Sequence, residues 1–600
     1  MNVPSGSRRK QRKKATCVRF TGNHPETRHG SKSQDADVFS LFPTGASQVC
    51  PQAAPANSRL FLLNLQPAHA KQASMKKLPI GIQTFSKIRE EDYLYVDKTQ
   101  QIHRLITSGD YFFLSRPRRF GKSLTLSTIR EIYEGNKALF EGLWIENQWD
   151  WTRIRPVVHI QFNSIGYVSN GLEPALNNTL EKEAMRHGIT LTESSYDQRF
   201  MELLEKLAGL KGKVVLLIDE YDKPLIDYLE KDQLPTAFEH QRILKNFYSI
   251  IKSADPYLEF LLITGVSKFS KVSVFSDLNN LNDITIDENF SDLTGYTQAE
   301  LERYFHKWIE YGLKKFSNLS KSQFLDQIKT WYNGYTWDGE VYVYNPFSIL
   351  NFFNKRSFED YWFKSGTPSF LIKKLQEQAY FNLNDLKVNR ILFESYTLDN
   401  LDIRSLLFQT GYLTIEAIDQ YGFYTLDYPN REVEEAMHNH LIAALLHRSP
   451  LDSTRPVIQL KEAFDNNDLP KVAAIINAML KDVPSHLLAD KGEHFYQALV
   501  HLHFRYLGLF LQSEVHTSDG RMDAVVHTPE RIYVLEFKIG QSAAAALRQI
   551  REKGYTQKFL LENKPITAIG INFDPERRRV SEWEAVEVRD NLSRIHFGKE

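Results

Sequence analysis

Tyr111-Phe112-Phe113-Leu114-Ser115 runs directly into Arg116-Pro117-Arg118-Arg119-Phe120-Gly121-Lys122-Ser123, and a helical pattern follows from Leu124 to Tyr133. The first five residues are a short apolar run of strand type, so the order is strand, loop, helix. Phosphate binding needs this context: backbone N–H groups at a helix N-terminus, a lysine that reaches the terminal phosphates, and a hydroxyl for magnesium. Lys122 and Ser123 fit the last two roles, directly after Gly121. The usual pattern has glycine at position 116, where this chain has Arg116, so the motif is complete only in its second half. On the loop alone, a basic turn ahead of a helix is the competing reading.

A later stretch weighs against that simpler reading. Val214-Val215-Leu216-Leu217-Ile218 is a buried-strand run that ends in Asp219-Glu220. An acidic pair at the C-terminal end of a central strand is where a P-loop NTPase organises magnesium and the attacking water. Asp219 is then the residue that holds the metal's water shell, and Glu220 the one that orients or deprotonates water. A third strand, Leu258-Glu259-Phe260-Leu261-Leu262-Ile263, ends at Thr264-Gly265, with Ser267 and Lys268 just beyond. Thr264 or Lys268 is placed to sense the γ-phosphate.

These segments, with Leu78-Pro79-Ile80-Gly81, Tyr95-Val96-Asp97-Lys98-Thr99, Leu217-Ile218-Asp219-Glu220-Tyr221-Asp222 and Thr264-Gly265-Val266-Ser267-Lys268-Phe269, resemble the AAA-ATPase-like family of bacterial proteins. The resemblance continues through Trp331-Tyr332-Asn333-Gly334-Tyr335, Tyr344-Asn345-Pro346-Phe347-Ser348 and the Trp362 to Leu371 segment, and so covers nearly everything after Met75. The departure at Arg116 is shared with that family. The resemblance implies an α/β P-loop NTPase domain that takes ATP and Mg2+. It leaves oligomeric state open, because AAA-like proteins often form rings while related switch NTPases work as monomers.

At 600 residues the chain is long enough for two or three domains with their own cores. Lys plus Arg equals Asp plus Glu at 74 each, which excludes a global electrostatic bias toward nucleic acid or acidic lipid. The two cysteines, Cys17 and Cys50, precede Met75, so the rest of the chain has no thiol for a disulfide or a cysteine-ligated zinc, as suits a reducing cytoplasm. No apolar run approaches the roughly 18 residues that cross a bilayer, and no membrane partner is expected. Residues 1–74 open with the basic run Arg8 to Lys14 and continue rich in Ser, Pro, Ala, Gln and Asn, which reads as a disordered tail. A nucleic-acid or membrane arm is the alternative there. Met75, followed by Lys76 and Lys77, opens the patterned sequence and is a candidate translation start.

The expected division is an NTPase domain over 75–290, a mostly helical middle domain over 291–484, and a C-terminal domain over 485–600. In the middle, the aromatic turns Trp331 to Trp337 and Tyr342 to Pro346 read as fillers of an irregular core, because the acids and amides around them form no basic groove. Gly411 to Ile415 and Phe423 to Leu426 read as a winged-helix-like hairpin between helices. The acids Asp419, Asp427, Glu432, Glu434 and Glu435 around it favour packing over phosphate contact.

The C-terminal domain reads αβββαβ: a helix from Lys491 to about Tyr506, strands over Leu509 to Thr517, Arg521 to Thr528 and Arg531 to Ile539, a helix over Ser542 to Tyr555, and a strand from Ile566 to Phe573. Within Ile532-Tyr533-Val534-Leu535-Glu536-Phe537-Lys538-Ile539, alternation puts Glu536 and Lys538 on one face with Ile532 and Val534. Burying two charges costs free energy unless they are paired or hold a metal. Asp523, across the hairpin, can lie beside Glu536, and two such carboxylates suit magnesium, with Lys538 positioning or activating water. The arrangement is similar to the PD-(D/E)xK nuclease superfamily, here as a restriction-endonuclease-like domain, with Asp523, Glu536 and Lys538 as its acid, acid and lysine. By the same resemblance Glu493 matches a helical metal-binding carboxylate and Gln549 an accessory amide. The usual Pro before the first acid is absent.

The leading functional reading is an ATP-regulated nuclease that hydrolyses phosphodiesters in DNA or RNA. The alternative is a signalling or scaffold NTPase whose C-terminal domain binds without cleaving, which the neutral charge favours; salt-dependent DNA binding separates a nucleic-acid binder from a pure protein scaffold. A P-loop kinase is a weaker third reading, since no acceptor site is apparent and Asp219-Glu220 suits water better than an alcohol.

Overall fold

Strand β1 (Tyr111–Ser115) pairs in parallel with β4 (Leu258–Gly265) and with the short β5 (Asn282–Asp283), while β2 (Val157–Gln161) and β3 (Val214–Asp219) complete the order β2-β3-β4-β1-β5. The computed structural model describes residues 75–600 apart from 269–273, 276–277, 365–368, 378–382, 384–385, 394–397, 399–401, 446–449, 482–515, 518–519, 522–523, 563, 575, 578, 589–593 and 600. The tail expected over 1–74 lies outside them, as do Asp523, Glu493 and the helix expected after Lys491.

Parallel strands joined by crossover helices are covered on both faces, so their side chains are apolar on both. Alternation along β3 divides them between two cores. Val215 and Leu217 join Phe112, Leu114, Phe260 and Leu262 in one, beneath Leu126, Ile129 and Ile132 of the helix Lys122–Tyr133. Val214, Leu216 and Ile218 join Phe113, Leu261 and Ile263 in the other, against Leu176, Leu204 and Leu244 of helices Leu172–His187, Tyr196–Lys211 and Leu234–Ser253. Each such buried aliphatic contributes roughly 1.5–3 kcal/mol. The β2 and β5 segments were not foreseen from sequence.

One of the quoted motifs, Tyr95 to Thr99, acts as a double clamp. Asp97 accepts from the Thr99 hydroxyl at 2.6 Å and from the Trp144 N–H at 2.8 Å. Lys98 donates to Glu300 at 2.7 Å and to the Asp292 carbonyl at 2.8 Å, and Glu300 also closes a capping box with Thr297 at the start of helix Gln298–Tyr304.

The following segment is helical, and Tyr332, Tyr335, Trp337 and Tyr344 from its aromatic turns are all buried. Gly334 sits so close to the chain that a Cβ there would lie 1.8 Å from the Pro429 carbonyl oxygen. Strands β6 (Leu386–Val388), β7 (Thr414–Ile418) and β8 (Tyr424–Asp427) form an antiparallel sheet in the order β6-β8-β7, with the β7–β8 hairpin between helices Ile403–Thr410 and Arg431–Leu445. The base of the hairpin packs through Ile415 and Leu426, and its tip exposes Tyr421 and Phe423.

A two-residue ribbon, β9 (His516–Thr517) with β10 (Gly520–Arg521), precedes the C-terminal sheet. There β11 (Ala524–His527), β12 (Ile532–Ile539), β13 (Ile566–Asp574), β14 (Arg579–Val588) and β15 (Arg594–Lys599) lie in sequence order, β12 and β13 parallel and the rest antiparallel. Sequence reading stopped at β13. β14 escapes it because its face is mostly half-buried, with Ser581, Glu582 and Glu584 breaking a simple alternation. Helix Ala543–Glu552 packs on this sheet over Gly570, where a Cβ would meet the Ala543 carbonyl oxygen at 2.2 Å. Among the described residues no helix is long and apolar enough to cross a membrane.

Candidate functional site

The loop after β1 turns through Arg119 (φ 69°) and Gly121 (φ 96°), left-handed conformations that turn the chain into helix Lys122–Tyr133. Arg116 points away from the helix N-terminus. It is fully buried, donates to the carbonyls of Thr285 at 2.6 Å and Phe290 at 3.2 Å, and lies 4.0 Å from the Trp337 ring centroid. Burial pushes its guanidinium down to about 9, still charged at neutral pH. The residue in the place of the usual glycine therefore anchors the loop to the chain beyond β5.

Lys122 is buried, and its ammonium donates to the carbonyls of Arg116 at 2.8 Å and Pro117 at 3.0 Å. An ammonium has three donors, so one remains for a phosphate oxygen. Burial lowers the Lys122 pKa, and Asp219, Glu220 and Asp222 pull it back up.

Register places Asp219 at the end of β3 beside Gln161 of β2, next to the end of β4. Its Oδ1 accepts from the Thr264 hydroxyl at 2.7 Å. Its Oδ2 is buried with no hydrogen-bond partner among the described residues, an oxygen of the kind a hard cation takes. The Ser123 hydroxyl lines the neighbouring cavity, and both groups are oxygen donors of the type magnesium takes. Glu220 follows at φ 54°, a strained conformation for a non-glycine residue. Burial raises its pKa, the Asp219 charge adds to the rise, and Lys122 opposes it.

The remaining acid of this turn is structural. Asp222 accepts at one oxygen from Val266 N at 3.0 Å, Ser267 N at 2.7 Å and the Ser267 hydroxyl at 2.6 Å, which pins the end of β3 to the end of β4. Gly265 permits this contact: a Cβ there would lie 2.5 Å from the Tyr221 ring.

Lys122, Ser123, Gly121 and Glu220 open onto one cavity of about 340 Å3. Asp222, Asn163 and Lys223 line its polar wall, Arg118 and Arg119 its loop side, and Pro79, Ile82, Tyr296, Phe347 and Leu350 an apolar wall. Phe347 is presented by a local cap: Asn345 Oδ1 accepts from Phe347 N at 2.9 Å and Ser348 N at 3.1 Å to start helix Pro346–Lys355. Asp219 and Thr264 lie behind the cavity wall rather than on it. Lys268 is turned elsewhere, paired to Asp283 at 2.7 Å, and the Lys268 N–H donates to Gln409 Oε1. Sequence reading gave no site role to Asn163, which carries no local signal, or to Phe347, which it quoted only within a motif; the fold brings both to the cavity.

In the C-terminal sheet Glu536 is buried on β12 and Lys538 stands two residues on, as alternation requires. Lys538 Nζ donates to Glu536 Oε1 at 3.2 Å and to Gln549 Oε1 at 2.6 Å, so the helix and the strand meet at the lysine. Asp523 and Glu493 lie outside the described residues, and the described geometry consists of Glu536, Lys538 and Gln549. Glu536 is the one carboxylate of the metal set expected there among the described residues.

A parallel sheet with the phosphate loop after β1 and an acid at the end of the non-adjacent β3 defines a P-loop NTPase fold, joined here to a helical middle and a C-terminal α/β sheet domain. The chain belongs to the AAA-ATPase-like family and carries a PD-(D/E)XK nuclease-superfamily domain: residues 79–275 match the family described as Predicted AAA-ATPase, and residues 491–583 match that superfamily. It is 39% identical over 522 residues, 84% of this chain and 98% of the other, to an uncharacterized protein in the vnfD 5' region of Azotobacter chroococcum mcd 1. It is distantly similar to the Aeropyrum pernix ORC1 protein solved in complex with DNA, at 12% identity and a TM-score of 0.23, over 59% of this chain and 95% of that one.

Proposed function

We propose that this chain binds and hydrolyses ATP at the Lys122 cavity and uses that cycle to regulate phosphodiester hydrolysis of DNA or RNA at the Glu536–Lys538 site. The observation that carries the reading is the convergence of Lys122, Ser123 and Glu220 on one cavity, with Asp219 buried behind it. Lys122 holds terminal phosphate oxygens by its third N–H. Glu220, its proton affinity raised by burial and by Asp219, takes a proton from the attacking water. Asp219 and Ser123 would hold a magnesium ion, which would supply charge neutralisation on the phosphates. The apolar wall with Phe347 takes the adenine. At the second site Lys538, fixed between Glu536 and Gln549, positions the attacking water. A cytoplasmic location goes with this reading, given the absence of cysteine after Met75.

The test is magnesium- or manganese-dependent cleavage of single- and double-stranded DNA and RNA, with and without ATP, in the wild type and in Glu536→Ala. Cleavage that is lost in the variant and changed by ATP supports the reading. Cleavage of no substrate, with ATP turnover intact, favours the scaffold NTPase that the neutral charge balance also suits.

A further inference from the structure

Three arginines stand in the eight-residue phosphate loop, and the structure gives them different surroundings. Arg116 is used up in anchoring the loop. Arg119 lies over the Phe347 ring, 5.3 Å from its centroid. Arg118 is exposed, lines the cavity beside Lys122, and has no ion pair among the described residues. Its backbone, by contrast, is fixed: the Trp362 indole N–H donates to the Arg118 carbonyl at 3.0 Å, and Pro117 before it packs so tightly on Gly411 that a Cβ there would come within 2.7 Å. A charged side chain on a fixed backbone, facing the space where the terminal phosphates must lie, is what phosphoryl transfer uses to neutralise developing charge. Glycine-rich loops do part of this with backbone N–H groups. This loop has one glycine and, at Arg118, a guanidinium with no ion pair among the described residues instead.

We propose that Arg118 is a catalytic residue of ATP hydrolysis, contacting the transferring phosphoryl group in cis, so that each chain carries its own arginine finger. The proposal rests on the nucleotide reading of the Lys122 cavity. In the step it serves, a water oxygen bonds to the γ-phosphorus and the bond from that phosphorus to the β–γ bridging oxygen breaks. ADP leaves with the electron pair, and the water's proton passes to Glu220. The Arg118 guanidinium donates to oxygens on which negative charge grows.

The experiment uses the full chain and its Arg118→Ala, Arg118→Lys and Lys122→Ala variants, each checked for wild-type melting. Steady-state ATPase rates are measured with the binding of ADP alone and of ADP with aluminium fluoride. Arg118→Ala is expected to lower kcat by about 10^3-fold or more, to change KM less than about fivefold, and to lose the aluminium fluoride complex while keeping ADP. Arg118→Lys is expected to recover little, because a lysine lacks the planar fork. Mixing Arg118→Ala with Lys122→Ala is expected to restore nothing. Wild-type turnover in Arg118→Ala, or a rise in KM alone, would overturn the catalytic role. Recovery in the mixture would overturn action in cis. Equal ADP affinity in the wild type and Lys122→Ala would remove the nucleotide reading itself, and the proposal with it.

Discussion

The Trp362 indole N–H donates to the carbonyl of Arg118 at 3.0 Å, so a residue 244 positions along the chain holds the phosphate loop by its backbone. The Trp362 N–H in turn donates to Glu432 at 2.6 Å, and Glu432 accepts from the Ser348 hydroxyl at 2.7 Å, next to Phe347 on the cavity wall. The middle segment is thereby bonded to two sides of the Lys122 cavity.

Trp362→Phe removes the indole donor and keeps most of the ring. The expected cost is about 1 kcal/mol of stability, with a larger proportional fall in ATP turnover, because the loop backbone loses its support. Chemical denaturation and steady-state ATPase rates on the same preparation measure both, and an unchanged rate would show that the loop holds its shape without Trp362.

Arg116→Gly would bring the loop closer to the glycine-rich pattern and is nonetheless expected to be harmful. It strips the Thr285 and Phe290 carbonyls of a charged donor and leaves a gap beneath Trp337. The expected loss is about 3 kcal/mol or more, read as a lowered denaturation midpoint. A variant as stable as the wild type would mean that Arg116 does not anchor the loop.

Glu432 is fully buried, and burial raises its pKa to about 8. Because the folded pKa lies above the unfolded one, the folded state holds the extra proton between them. That contribution is full below the unfolded carboxylate range and is lost as pH rises through about 8. Stability should therefore fall from pH ~5 to pH ~8, by a few kcal/mol, and Glu432→Gln should flatten the profile. Denaturation midpoints across that range check this, and identical slopes in both proteins would show that the carboxyl does not titrate there.

Gln549 receives the short hydrogen bond from Lys538. Gln549→Ala is expected to slow metal-dependent cleavage about tenfold, and Lys538→Ala to abolish it, by about 10^2-fold or more, while ATP turnover stays unchanged in both. A joint loss of both activities and of folded signal on Lys538→Ala would mark the lysine as structural.

Much of this was legible in local sequence, for physical reasons. β1, β3 and β4 are continuous apolar runs because a parallel sheet is covered on both faces, and Asp219-Glu220 stands out because charge ends such a run abruptly. Gly121, Lys122 and Ser123 lie in consecutive positions, so their joint role needs no long-range contact. Period-two alternation likewise puts Glu536 and Lys538 on one face. Tertiary structure alone decided what packing over long separations decides: that Arg116 anchors the loop instead of cradling phosphate, that Lys268 turns to Asp283 while Thr264 supports Asp219, and that Asn163 and Phe347 join the cavity. No local pattern encodes these, because each depends on which distant carbonyl, carboxylate or ring the fold brings within a few ångströms.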